Sequence, residues 1–242
     1  FPCAGAPLSD NINTFLQSVD IPIIYGYGLT ETTATVTCFP LIGFKIGTVG
    51  TVMPEVEVKI GDNNEILVKG LTVMEGYDDG YFRTGDAGYI TENSELVLTE
   101  RIKDLYKTSN GKYIAPQMIE TRLSEDNFID MVAVIGDERK FVSALIVPNF
   151  EALEAYAREN SIGFTNREEL IADQKIKDFI YARIELKQVD FTSFEKIKKF
   201  VLLPEAFSIE GGELTNTLKL RRKVILEKYA TQIENIYVET VN

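Results

Sequence analysis

The sequence predicts an α+β protein made of two consecutive parts, and three observations carry that expectation. Residues 47–98 alternate apolar and polar positions, as at Val56, Val58 and Ile60, which is the period of half-buried strands. Near residues 100–105 this pattern stops, and short apolar strands then alternate with segments of helical periodicity. At 242 residues and 45% apolar, the chain can bury one sizeable core or two smaller ones, so disorder is excluded.

Ser9 is a candidate N-cap for a first helix in which Ile12, Phe15, Leu16 and Val19 recur at helical spacing. Ile21-Pro22-Ile23-Ile24-Tyr25 reads as a short buried strand that delivers Tyr27-Gly28-Leu29-Thr30-Glu31. The alternation of 56–60 continues over 65–68, and Gly61-Asp62-Asn63-Asn64 supplies turn chemistry between the two runs. The second part opens with apolar strands over 131–135 and 142–147, separated by Gly136-Asp137-Glu138-Arg139. Helical patterns follow over 150–159 and 167–187, then a strand over 200–204 and a Gly211-Gly212 turn. A last amphipathic helix carries Val224, Ile225, Tyr229 and Ile233.

A formal net charge of −12 argues against nucleic acid as a partner, because such binding rests on neutralising phosphates with a basic surface. Two basic runs, Lys196, Lys198, Lys199 and Lys219, Arg221, Arg222, Lys223, stand out on this acidic background. The absence of histidine removes Ser-His-Asp triads, Cys-His pairs and His-containing zinc sites. Cys3 and Cys38 have neither metal-ligand nor redox spacing; a reducing compartment and two buried thiols are expected. No membrane-spanning helix or signal peptide is expected, and a start at Phe1 instead of methionine suggests a fragment.

Two stretches together carry the inventory of a nucleotide site: Tyr27-Gly28-Leu29-Thr30-Glu31 and Tyr81-Phe82-Arg83-Thr84-Gly85-Asp86. Glycine lets backbone approach a phosphate, a hydroxyl donates to phosphate oxygen, one carboxylate can hold a divalent cation, and another can accept from ribose hydroxyls. Either stretch alone is more often a structural turn. Their order, followed by Glu100-Arg101-Ile102-Lys103-Asp104-Leu105, Ser109-Asn110-Gly111-Lys112-Tyr113-Ile114-Ala115-Pro116 and Leu214-Thr215-Asn216-Thr217-Leu218-Lys219-Leu220-Arg221-Arg222, is more specific.

With Gly5-Ala6-Pro7 at the start, this ordered set resembles the adenylate-forming (AMP-binding) superfamily of acyl-CoA synthetases, luciferases and peptide-synthetase adenylation domains. Within it, the wording of the motifs is similar to the long-chain fatty-acid–CoA ligases. The resemblance implies that residues 1–102 are the β-rich end of a large N-terminal AMP-binding domain, and 103–242 a smaller, mobile α+β C-terminal domain. It implies ATP and Mg2+ in a first step that makes an acyl-adenylate, and coenzyme A in a second that makes the thioester.

Carried over position by position, Thr30 would bind phosphate and Glu31 the magnesium. Asp86 would hold the ribose with help from Arg101, while Gly5, Ala6, Pro7, Tyr27 and Gly28 would line the nucleotide slot. Lys219 would be the catalytic lysine, Lys103 the hinge, and Gly111 would face the coenzyme A tunnel or simply turn a hairpin. A fatty acid is the expected acyl partner, in the cytoplasm or peripherally at the inner membrane face; oligomeric state stays open.

Two departures qualify the resemblance. The family's phosphate loop with its lysine would lie before Phe1, so this chain alone is expected to be inactive. Between Met74-Glu75-Gly76-Tyr77 and Asp79-Gly80-Tyr81 the family usually carries a further stretch that this sequence lacks. Another adenylate-forming enzyme acting on aryl or amino acids, and a non-catalytic nucleotide- or acyl-binding fragment, are the alternative readings.

Overall fold

A computed structural model describes residues 1–74 and 80–238, with Lys103 described at its backbone; the join over residues 75–79, where the family carries its further stretch, lies outside the described residues. The chain divides into two units, Phe1–Leu105 and Tyr106–Asn242.

In the first unit, β1 (Pro2–Cys3), α1 (Asp10–Ser18), β2 (Ile24–Tyr27), β3 (Thr37–Cys38) and β4 (Thr51–Val52) come first. Their strands form a sheet in the order β1-β2-β3-β4, with β1 parallel to β2 and the other pairs antiparallel. Strand β2 starts later than the apolar run suggests. Pro22 has no N–H to give a ladder, and pairing begins where Ile24 N–H donates to Phe1 O at 2.9 Å. Helix α1 starts directly after Ser9, whose side chain makes no capping bond to it, and Ile12 and Phe15 of the helix, with Val19 at its C-terminal end, lie at the surface of the unit while Asn13 is buried. Cys3 and Cys38 are free and half-buried, not fully enclosed as expected.

A second sheet is an antiparallel meander of β5 (Val56–Ile60), β6 (Glu65–Gly70), β7 (Phe82–Ile90) and β8 (Leu96–Arg101). Its inward residues Val56, Ile66, Val68 and Leu96 close on Tyr27, Val36 and Val49, giving the unit one core shared by both sheets. Arg83-Thr84-Gly85-Asp86 therefore lies inside a strand and not in a loop.

The second unit starts with a hairpin of β9 (Tyr106–Lys107) and β10 (Tyr113–Ile114), then α2 (Pro116–Leu123), β11 (Ile129–Ile135) and β12 (Ser143–Pro148). There follow α3 (Phe150–Glu159), α4 (Arg167–Ala172), α5 (Gln174–Lys187), β13 (Lys199–Leu202), α6 (Arg222–Lys228) and α7 (Ala230–Tyr237). The sheet order is β11-β12-β13, antiparallel then parallel, and the central strand β12 is buried along its whole length. That burial explains its unbroken apolar run. Ile119 and Leu123 of α2, Leu153 of α3, and Ile176, Ile180 and Ile184 of α5 complete the core.

The single helix expected over 167–187 is two. Asp173 adopts extended backbone (φ −61°, ψ 132°) and its carboxylate caps α5 by accepting from Lys175 N at 2.7 Å and Ile176 N at 3.3 Å. The last helix is likewise divided, at Tyr229 (φ −105°, ψ 20°). Helix α2 was not expected, although Pro116 at its first turn, with Ile119 and Leu123 one turn apart, is a helix-start signal. No helix among the described residues is long and apolar enough to cross a membrane.

Candidate active site

The Thr-Glu loop is closed on itself by backbone contact. A Cβ on Gly28 would stand 1.8 Å from Ala34 O, so only glycine lets the exit of β2 touch the returning chain. Leu29 N–H donates to Thr32 Oγ1 at 2.9 Å, Ala34 N–H to Leu29 O at 3.0 Å and Val36 N–H to Tyr27 O at 2.8 Å. Thr33 and Ala34 have φ of 49° and 78°, a left-handed backbone that costs a non-glycine residue roughly 1–3 kcal/mol. The loop is pinned in this shape by Thr33 Oγ1 donating to Thr72 O at 2.7 Å and Met74 N–H donating to Glu31 O at 2.9 Å. On its single 3-10 turn, Thr30–Thr32, Thr30 is exposed and Glu31 half-buried.

Asp86 sits on a bulge of β7. Between the pairs Leu67↔Arg83 and Glu65↔Ala87, the residues Thr84, Gly85 and Asp86 all stand opposite Ile66. A bulge of this kind re-aims a side chain, and Gly85 at φ 76° supplies the left-handed residue it needs. Tyr27 OH donates to Asp86 Oδ2 at 2.7 Å, and Arg101 Nε approaches Asp86 Oδ1 at 3.4 Å and Asp104 Oδ2 at 3.7 Å. Asp86 and Arg101 are register partners of β7 and β8. Arg101 Nε is buried without a well-aligned hydrogen bond among the described residues.

Burial, and then the negative charge of Asp86, push the Tyr27 phenol above its ordinary range, so it stays a protonated donor. Tyr27 as a whole is only 8% exposed. The sequence indicated Tyr27 as a flat surface for the nucleotide; its hydroxyl bond to Asp86 was not legible there. Tyr25, also unforeseen, ties Gly5-Ala6-Pro7 to β2: its hydroxyl accepts from Leu8 N at 3.1 Å and donates to Ala6 O at 3.4 Å. The first unit thus joins Tyr27, Asp86 and Arg101 directly, with Gly28, Thr30 and Glu31 following Tyr27 along the chain. The backbone of Lys103 lies in the 3-10 turn Ile102–Asp104, two residues past Arg101.

Within the second unit, Gly111 occupies the exposed turn of the β9–β10 hairpin at φ 75°, its N–H donating to Thr108 O at 2.8 Å. Lys219 closes a separate turn. Thr215 Oγ1 accepts from Lys219 N at 3.0 Å, Thr215 N–H donates to Lys219 O at 2.8 Å, and Leu214 bridges Leu220. The Lys219 side chain is exposed. Arg222, in the same motif, does different work. Its two terminal nitrogens reach Glu120 Oε1 and Oε2, both at 2.8 Å, and one lies 3.2 Å from Tyr106 OH. Burial opposes the guanidinium charge, but Glu120 outweighs it and raises the pKa further. Arg222 thereby anchors the Lys219 segment to α2 and β9.

No group of three or more His, Cys, Asp or Glu among the described residues could cage a metal. Magnesium that arrives with a nucleotide takes one or two carboxylates and completes its shell with phosphate oxygens and water. The lone carboxylate of Glu31 fits that mode.

Residues 1–78 match the family model of the AMP-binding enzyme, and residues 103–241 that of the AMP-binding enzyme C-terminal domain. A long-chain-fatty-acid–CoA ligase of Mycobacterium bovis is 36% identical over 96% of this chain and 41% of its own length. Long-chain-fatty-acid–CoA ligase 1 of Schizosaccharomyces pombe is 31% identical over 97% of this chain and 39% of its own. The chain therefore spans about two fifths of these relatives. The adenylation domain of a carboxylate reductase from Mycobacterium chelonae shares the fold with a TM-score of 0.79 and 24% identity, over 98% of this chain and 38% of that one. An o-succinylbenzoate coenzyme A synthetase from Bacillus subtilis, in complex with ATP and magnesium ion, gives 0.66 and 20% over 92% and 45%. At these identities the two structures establish the fold.

Proposed function

The chain belongs to the AMP-binding enzyme family, and on that premise we propose that it is the C-terminal part of an ATP-dependent long-chain fatty-acid–CoA ligase. The observation that carries this reading is the oriented carboxylate of Asp86, set by Tyr27 and Arg101 in the same unit as the glycine-closed Thr-Glu loop. An ionised carboxylate is an acceptor only, which suits the two adjacent hydroxyls of a ribose. Gly5, Ala6, Pro7 and the small exposed part of Tyr27 line the base, and the Thr30 hydroxyl donates to phosphate.

In the first step a fatty-acid carboxylate oxygen attacks the α-phosphorus of ATP and the bond to pyrophosphate breaks. The nucleophile is already ionised at neutral pH, so the step asks no histidine base of this chain; positioning and charge neutralisation are what it must contribute. Lys219 supplies a compact positive charge as charge moves between the carboxylate and the α-phosphate. Glu31 would hold the magnesium, which would supply positive charge to offset that of the phosphates.

In the second step the sulfur of coenzyme A attacks the acyl carbon, the carbon–oxygen bond to AMP breaks, and the thiol proton passes to solvent. Residues 103–242 serve both steps by turning about Lys103, after which Gly111 faces the pantetheine. The same reading places the protein in the cytoplasm or peripherally at the inner membrane face. The test is pyrophosphate–ATP exchange by the full-length protein with acids of graded length. Exchange at about 1–10³ s⁻¹ that favours long-chain fatty acids supports the reading; exchange confined to aryl or amino acids, or none, overturns it.

A further inference from the structure

The bulge that aims Asp86 is held by a residue that no motif singled out. Glu65, the first residue of β6, is 7% exposed. Its Oε1 accepts from Gly85 N at 3.1 Å, and its Oε2 pairs with Arg83 Nη2. The carboxylate thus grips β7 on both sides of Thr84. Thr84 adds a second clamp, its hydroxyl donating to Ile66 O at 2.8 Å and accepting from Asp86 N at 3.1 Å. Pairing with β6 resumes only at Ala87, so on that side the backbone of Thr84, Gly85 and Asp86 is shaped by these side-chain bonds, while Asp86 keeps its register pairing with Arg101 of β8 on the other.

We infer that Glu65 is a positioning residue for nucleotide selection, acting through the Gly85 N–H to hold Asp86 at the angle that reads the ribose. This rests on the reading of Asp86 as the ribose ligand. An apolar residue at 65 would leave the Gly85 N–H without its acceptor in a buried setting and release Arg83, which already reaches solvent. The bulge would then relax toward regular pairing, and Asp86 would turn away from the sugar while Lys219 and the loop at Thr30 kept their own supports.

The experiment compares ATP with 3′-deoxy-ATP in the full-length protein carrying Glu65→Ala, Glu65→Gln or Asp86→Asn. Glu65→Ala should raise KM for ATP about tenfold with kcat little changed, and should shrink the preference for ATP over the 3′-deoxy analogue. Glu65→Gln, which keeps an oxygen for the Gly85 N–H, should restore most of the preference. Equal loss of rate on both nucleotides in Glu65→Ala, with the preference intact, would show a role in stability alone and overturn the inference. An intact preference in Asp86→Asn would overturn the ribose reading, and the inference with it; lost there but kept in Glu65→Ala, it would overturn the inference only. Should Glu65→Ala not fold, Gly85→Ala perturbs the same bulge at φ 76°, and an unchanged preference in that variant would equally overturn it.

Discussion

Tyr27 donates its phenolic hydrogen to Asp86 Oδ2 at 2.7 Å, although 59 positions separate the two residues in the chain. The bond joins the end of β2 to the bulge of β7 and so ties the loop at Thr30 to the carboxylate proposed for the ribose.

Tyr27→Phe keeps the ring and deletes this bond. A hydrogen bond to a charged group is worth about 1.5–3 kcal/mol net, and Arg101 remains to hold the carboxylate, so KM for ATP in the full-length protein should rise about tenfold with kcat nearly unchanged. The phenol pKa is raised in the folded state, so its contribution is complete below the ordinary tyrosine value near 10 and is lost only above it. Tyrosinate absorbance of native wild type and Tyr27→Phe should therefore coincide through about pH 10. An extra tyrosine titrating in the wild type below that would contradict the assignment.

Lys219→Ala tests the first step. In the full-length protein adenylate formation should slow by about 10²-fold or more, while thioester formation from supplied acyl-adenylate stays near wild type. Single-turnover rates of the two half-reactions decide; a matched loss in both would indicate that the Thr215–Lys219 turn itself had been disturbed.

Lys103→Pro tests the pivot, because proline fixes φ and removes an N–H. In the full-length protein the variant should keep adenylation and lose thioesterification, measured in the same two assays. Adenylation lost with thioester transfer kept, in a folded protein, would place the pivot elsewhere.

Glu213 offers a test by pH. It is buried, its carboxylate receiving Lys228 and the N–H of Ser208 at 3.3 Å. Burial opposes its ionisation, but these partners outweigh that and lower its pKa. A carboxyl lowered on folding adds stability above its unfolded pKa, and this is lost as pH falls through the folded value. In urea titrations of the 242-residue chain, wild type should exceed Glu213→Gln at neutral pH, with the gap narrowing below about pH 4. A gap independent of pH would mean that the charge contributes nothing.

The sequence alone determined what depends on local chemistry. Alternation at Val56, Val58 and Ile60 specified β5, an unbroken apolar run specified the central strand β12, and the ordered motifs named the family. Asp86, Thr30 and Glu31 were legible as candidates because their types fit the chemistry of a nucleotide site, and Lys219 only because its motif resembles the family's. Tertiary structure alone decided what depends on partners distant in the chain. The helical period over 167–187 continues across the break because period reports which residues face the core, not whether the backbone stays helical; the Asp173 cap decides that. Arg222 reads as one more base in a cationic run until Glu120, 102 positions away, is seen to hold it in a paired fork. Glu65 reads as a charged residue in a strand, and only its burial against Gly85 and Arg83 makes it a clamp. Propensity and period act over a few residues, whereas a buried carboxylate is tolerated only where the fold brings donors to it, and which donors arrive is settled by strand register and bulge.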